Sequence, residues 1–191
     1  MTPEQLNAVP HLTTALSGPL QQIESHLLQH QAHIEAWLRN QWRETRAPFY
    51  ASVDLRNSGF KLAPVDTNLF PAGFNNLSSS FTPLCIHAIQ SAMEKYCPSA
   101  CRVLLIPENH TRNLFYLESL AALRDILLKA GFEVRIGSLL PELEGPLSID
   151  LPSGGQLRLE PAVRRGNRPE TAQYSPVVLV LNTDLTAGRP A

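Results

Sequence analysis

Cysteine is scarce. The 191 residues hold three, Cys85, Cys97 and Cys101, and these make no disulfide framework. Charge of one sign is missing too, since 16 Lys and Arg against 17 Asp and Glu leave a net charge of −1. That balance gives no electrostatic case for nucleic acid or an anionic membrane as partner. The longest apolar run, "VVLVL" (177–181), is far too short to span a bilayer. The opening "MTPEQLNAVPHL" has neither a basic stretch nor an apolar core, so no signal peptide is expected. Neither GxxxxGK followed by Ser or Thr nor GxGxxG occurs, and "PSGG" (152–155) lies between two strand-like runs rather than opening a helix. The chain therefore shows no phosphate cradle of its own. These absences together describe a reduced, cytoplasmic protein, with homo-oligomerisation left open.

Apolar and charged fractions of 43% and 17% are ordinary for a globular protein, with charged residues somewhat low. The length allows one good domain, or one and a fraction. Residues 19–46 predict a single long amphipathic helix, because Leu20, Ile23, Leu27, Leu28, Ile34, Leu38 and Trp42 recur at three-and-four spacing. Pro19 suits its first turn. A second helix is predicted from Thr82 as N-cap with Pro83 at N1. "CRVLLIP" (101–107) reads as a strand buried on both faces. "LFYLESLAALRDILLKA" (114–130) reads as a helix capped by Asn113 and stopped by Gly131, and "FEVRIGSL" (132–139) as the next strand. Such a βαβ unit implies a parallel sheet. "LSIDL" and "QLRLEPAV" read as a hairpin (147–163), and "SPVVLVLN" (175–182) as a second fully buried strand. The sum is an α/β layered domain with a parallel core sheet, a β-hairpin and a long N-terminal helix. The expected division is 1–47, helical, and 48–191, the α/β substrate-binding domain.

Residues 50–77, "YASVDLRNSGFKLAPVDTNLFPAGFNNL", fit neither a helical nor a strand period over their length. An ordered loop this long is expected to bind something. Two further polar groups fall where an α/β sheet presents its ligands, at strand C-termini: "PENHTRN" with Glu108, Asn109, His110, Thr111 and Arg112, and "NTDLT" with Asn182, Thr183 and Asp184. Helix capping and turn chemistry account equally well for their Asn and Asp residues. His26, His30 and His33 stand at i, i+4 and i+7, a spacing that can ligate metal. Their Gln, Ser and Glu neighbours favour a solvated helix flank instead, and no metal site is assigned. "CPSAC" (97–101) lacks a second ligand pair for zinc, and Cys101 reads as a small buried hydrophobe.

"PFYASVDLRNSGFKLAPVDTNLFPAGFNNL" (48–77) resembles the signature of the proteobacterial glutamate–cysteine ligases, and "LLIPENHTRN" and "VLNTDLTAG" resemble two later blocks of that family. The resemblance covers nearly all the chain after about residue 15. It implies the first step of glutathione synthesis, in which L-glutamate, L-cysteine and ATP give γ-glutamylcysteine, ADP and phosphate. The implied route activates the γ-carboxyl as an acyl phosphate, which the cysteine amine attacks. Less directly, the family is similar to ATP-grasp enzymes, which implies a Rossmann-like, pre-ATP-grasp-like leading domain here. ATP and Mg2+ are then expected to be held mainly by a C-terminal half that would follow, and the 191 residues alone are expected to be inactive.

The same resemblance gives the opening stretch its chemistry. Each amino-acid substrate brings a carboxylate and an ammonium. Arg56 could clamp a carboxylate through two parallel hydrogen bonds, and Lys61 could offset carboxylate or phosphate charge. Asp54 or Asp66 could receive an ammonium, and Asn68, Asn75 and Asn76 could orient the substrate. Phe70 and Phe74 could exclude water from an acyl phosphate. Glu108, Asn109, Arg112, Asn182 and Asp184 complete the expected substrate-binding set. Asn75 and Asn76 could instead tie the loop to its own backbone. Two other readings stay open: a non-catalytic binding or assembly module that kept the fold, and an unrelated α/β enzyme.

Overall fold

The computed structural model describes residues 18–58, 60–108, 113–166, 168–172 and 174–183. Asn109, Arg112 and Asp184 lie outside the described residues. The chain divides into two compact units, one up to Leu69 and one from Phe70. The segment after residue 48 pairs with itself before the larger sheet begins.

The first unit starts with two helices, α1 (Gly18–Gln29) and α2 (Gln31–Glu44), where the apolar spacing predicts one. The break is His30, whose ψ opens to 12°. Its ring nitrogen Nδ1 lies 2.8 Å from the His26 carbonyl oxygen, a side-chain bond of the kind that competes with helical backbone. Neither helix has a buried residue, and Leu27, Leu28, Trp37 and Trp42 are exposed.

Residues 50–68 are not a loop. They form an antiparallel hairpin of β1 (Ser52–Asn57) and β2 (Leu62–Asn68). The register steps from Asp54↔Asp66 to Leu55↔Pro64, which leaves Val65 as a bulge. A bulge adds a residue to one strand and shifts its alternation, and Pro64 beside it breaks strand propensity further. That is why no period of two is visible in the sequence. Ser58 closes the turn, its N–H donating to the Lys61 carbonyl at 3.1 Å.

The second unit begins with two 3-10 turns, Phe74–Asn76 and Ser79–Phe81, and α3 (Thr82–Tyr96). Phe81 rather than Thr82 is the N-cap of α3, and Ser78 accepts from Ser80 N–H to cap the turn before it. β3 (Arg102–Pro107), α4 (Leu114–Lys129) and β4 (Glu133–Ser138) follow as the βαβ unit. Asn113 caps α4 by accepting from Tyr116 N–H at 3.2 Å. Gly131, at φ 99°, ends it, with Gly131 N–H on Leu128 O and Phe132 N–H on Leu127 O. Then come β5 (Leu147–Asp150), β6 (Gln156–Pro161), a small hairpin of β7 (Val163–Arg165) and β8 (Arg168–Glu170), and β9 (Val178–Asn182).

Among the described residues the central sheet has the order β5-β6-β4-β3-β9, parallel except for β5. β9 is thus an edge strand and not, as its apolar run predicts, an interior one. Leu179 and Leu181, in register with Leu104 and Ile106, stay exposed at this edge, while Val180 and Asn182, which alternate to the other face, are buried. Cys101 also differs from expectation: it precedes β3 and is exposed. No helix among the described residues is long and apolar enough to cross a membrane.

β3 is buried over its last five residues. Pairing and alternation place Leu104, Ile106, Arg135 and Gly137 on one face and Val103, Leu105 and Ile136 on the other. The first face is covered by Tyr174, Leu139 and Ala162. The second is left to α4, whose Leu117, Leu120, Leu123 and Leu127 are buried. Tyr174 donates its hydroxyl to the carbonyls of Glu133 (2.8 Å) and Val103 (3.2 Å). Burial, with help from the Glu133 charge, pushes its phenol up to about 12.

Gly137 has no room for a side chain. An added Cβ would lie 2.9 Å from Ile106 Cδ1 and 3.1 Å from Leu104 Cδ1. Gly137→Ala should therefore lower unfolding free energy by about 1–3 kcal/mol through overpacking, read from the urea midpoint. A midpoint unchanged from wild type would mean that these two side chains move aside freely. Tyr174 supplies a second test. Its folded pKa is raised from 10.0 to about 12, so above pH 10 the unfolded chain sheds a proton that the folded chain keeps. Stability is then full below pH 10 and falls toward pH 12. The denaturation midpoint should drop across that window, and Tyr174→Phe should remove that part of the drop.

Candidate functional site

The hairpin gathers the candidate residues onto one side. Along β1, Ser52, Asp54 and Arg56 alternate to the same face. Asn68, Asp66 and Ala63 stand directly opposite them on β2 and share it. This face therefore carries two carboxylates, a guanidinium and a carboxamide, while Val53, Leu55 and Pro64 fall on the other. Lys61 lies in the turn just before β2, at the same end as Arg56. Asp54 and Asp66 are cross-strand partners. Like charges in that position repel, and both are exposed to water. Chemically, the face offers a cation site between two acids beside a forked donor for a carboxylate.

The larger unit has its own polar centre. Its chain runs outward from β3 to β4 to β6, then returns to place β9 on the other side of β3. The order reverses between β3 and β9, and ligands of open α/β sheets favour the crevice at the strand C-termini there. Pro107 and Asn182 are in register at that edge, and Glu108 follows directly. Tyr116 ties it together. Its hydroxyl accepts from Glu108 N–H at 2.9 Å and lies 3.0 Å from both the backbone and side-chain oxygens of Asn182. Asn182 Nδ2 donates to the Pro71 carbonyl at 2.9 Å. Buried Ser119 accepts from Gly73 N–H (2.8 Å) and Phe74 N–H (3.1 Å). The segment 71–74 is thus laid across the strand ends by side chains of α4 and β9.

Of the expected residues, Asp54, Arg56, Asp66 and Asn68 are brought together on the hairpin face. Asn182 is buried with both ends of its amide engaged within the chain. Asn75 and Asn76 are exposed in the 3-10 turn, and Asn76 N–H returns to Gly73 O. Asn75 lines a cavity of about 210 Å³ with Thr82 and Cys85 between the turns, α3 and α4. His30 spends its Nδ1 on the His26 carbonyl, and among the described residues no three His, Cys, Asp or Glu side chains gather as a metal set. Tyr116 and Ser119 were missed. The available signal was a serine inside a leucine-rich helical stripe, which is costly unless it has a buried partner.

A model of the family described as "GshA: Glutamate-cysteine ligase" matches residues 24–191. Among solved structures, the chain is similar to a protein of Methylobacillus flagellatus KT provisionally named gamma-glutamylcysteine synthetase, at 58% identity and a TM-score of 0.82. The match covers 95% of this chain and 43% of that one, so the chain spans less than half the length of that protein. No curated protein matches the sequence.

Ser119→Ala removes the shared acceptor of Gly73 and Phe74. Amide exchange at those two positions should quicken by about tenfold, the size of one lost hydrogen bond to a buried group, with β3 protection unchanged. Equal protection in the variant would show that the segment is held by packing alone.

Proposed function

We propose that this chain, which belongs to the glutamate–cysteine ligase family, supplies the amino-acid-recognising part of an ATP-dependent ligase that joins L-glutamate to L-cysteine. The observation that carries this is the hairpin face, where opposed Asp54 and Asp66 stand beside Arg56 and Asn68. An amino acid is a carboxylate and an ammonium held a few ångströms apart. The paired acids accept the ammonium, which relieves their mutual repulsion. Arg56 takes the carboxylate by its fork of N–H donors, and Asn68 fixes orientation.

The reaction needs the glutamate γ-carboxylate activated by phosphate from ATP, after which the cysteine amine displaces phosphate to form the amide. Lys61 at the hairpin end suits the charge that accumulates there. Hard carboxylate oxygens such as those of Asp54 and Asp66 also suit Mg2+, which commonly uses one or two carboxylates plus phosphates. The described residues hold no glycine-rich loop opening a helix, so the triphosphate is assigned mainly to the part of a full ligase that corresponds to the unmatched length of the Methylobacillus protein. In this reading the larger unit is the Rossmann-like leading domain. Its switch point between β3 and β9 supports that, with Asn182 positioning the strand-end segment. A reducing cytoplasm suits an enzyme whose substrate is a free thiol.

In a full-length ligase bearing these residues, Arg56→Ala should lower kcat/KM for one amino acid by about tenfold to a hundredfold, the loss of a charge-assisted hydrogen bond pair. ATP saturation and fold should be unchanged. Asp66→Asn should act on the same substrate. If both variants leave kcat/KM for glutamate and cysteine at wild-type values, the hairpin is not the amino-acid site.

A further inference from the structure

The sheet has a second opening, at the end away from the switch point. β4 and β6 pair only over Ile136–Ser138 and Leu159–Pro161. The first three residues of each strand lie outside that ladder. A notch of about 430 Å³ opens there, lined by Arg124, Val134, Arg135, Ile136, Arg158 and Glu160.

Three guanidiniums share this notch with one carboxylate. Glu160 receives Arg135 Nη1 at 3.2 Å on each oxygen and Arg158 Nε at 3.5 Å. No other acid is among the lining residues. Nearby Asp150 takes Gln156 Nε2 at 2.7 Å, and Asp125 pairs with Lys129. Among the lining residues two positive charges are left over, with Glu133 further along the Arg135 face as the next acid on β4. Arg124 reaches in from α4 and donates Nη1 to Gln156 O at 3.3 Å, but its Nε is buried without a hydrogen-bond partner. Buried donors are nearly always partnered, and a guanidinium does not lose its charge to escape. Arg135 is held in place by Glu160 on one side and by the Tyr174 ring, 4.9 Å from its guanidinium carbon, on the other.

We propose that this notch binds a small oxyanion, a carboxylate or a phosphate, with Arg124 and Arg158 as its principal ligands and Arg135 as a fixed third charge. The volume falls within the range of about 300–1,000 Å³ typical of small-molecule sites. The notch sits at the N-terminal ends of the strands, away from Asn182 and Glu108 within the same unit, so it is separate from the strand-end centre. The inference does not rest on the hairpin assignment.

The test titrates the chain with sodium phosphate and, separately, with sodium succinate at constant ionic strength, following backbone amide NMR shifts. At least one probe should give saturable shifts at Val134–Ile136 and Arg158–Glu160. Arg124→Gln and Arg158→Gln should each weaken binding by about tenfold or more. Glu160→Gln should tighten it, because a competing carboxylate has gone. Saturation by phosphate alone assigns a phosphate site, and by succinate alone a carboxylate site. Both results support the proposal. Shifts that never saturate with either probe overturn it, as does saturable binding that Arg158→Gln leaves untouched. Arg158, with its side chain 63% exposed, is the variant that keeps the test decisive if Arg124→Gln does not fold.

Discussion

Burial of β3 on both faces is the constraint on which the larger unit depends. Val103, Leu104 and Leu105 have no exposed surface, so each face needs its own cover. The leucines of α4 supply one, and Tyr174 with Leu139 and Ala162 the other. Each such side chain contributes about 1.5–3 kcal/mol when fully buried. The close approach of Ile106 and Leu104 leaves Gly137 without space for a Cβ. The Tyr174 ring enters the core only because its hydroxyl finds the carbonyls of Val103 and Glu133. Parallel pairing of β3 with β9 then brings Pro107 and Asn182 level at one edge, and that edge is the switch point.

Among the described residues, the two ends of the sheet are organised differently. At the strand C-termini, neutral groups settle each other: Tyr116, Asn182, Ser119 and backbone amides form a closed set of hydrogen bonds. At the N-termini of β4 and β6, three arginines line a notch with one glutamate, and two of them, Arg135 and Arg158, pair with it. A satisfied neutral network rigidifies its surroundings. An unbalanced cluster of fixed cations instead favours an anion from solvent.

The hairpin follows a different logic. A two-stranded ribbon alone is marginally stable, and Val53, Leu55 and Val65 remain exposed. Its register nevertheless forces Asp54 against Asp66. Opposed acids on a surface strand pair weaken the ribbon they sit on. Such a cost is expected where a site needs local negative charge, as in the recognition of an ammonium or a metal–phosphate complex.

The sequence by itself determined the βαβ unit. The apolar run at 101–107, the Asn113 cap, the leucine stripe of α4 and the Gly131 stop are local signals, and each is where the residues predict it. It also determined which residue types fill the 50–77 stretch, and through them the family resemblance. The break at His30 was not legible, because one residue's ψ decides it and the apolar spacing continues through it. The hairpin was hidden because a bulge at Val65 and a proline at 64 cancel the period of two from which a strand is read. β9 reads as a buried strand from its composition, but whether a strand has neighbours on one side or two is a property of the sheet order. The sharing of one face by Asp54, Arg56, Asp66 and Asn68, and of one notch by Arg124, Arg135 and Arg158, was decided by tertiary structure alone. The hairpin register brings the first set onto one face, and strand order with the placement of α4 against the sheet brings the three arginines to one notch.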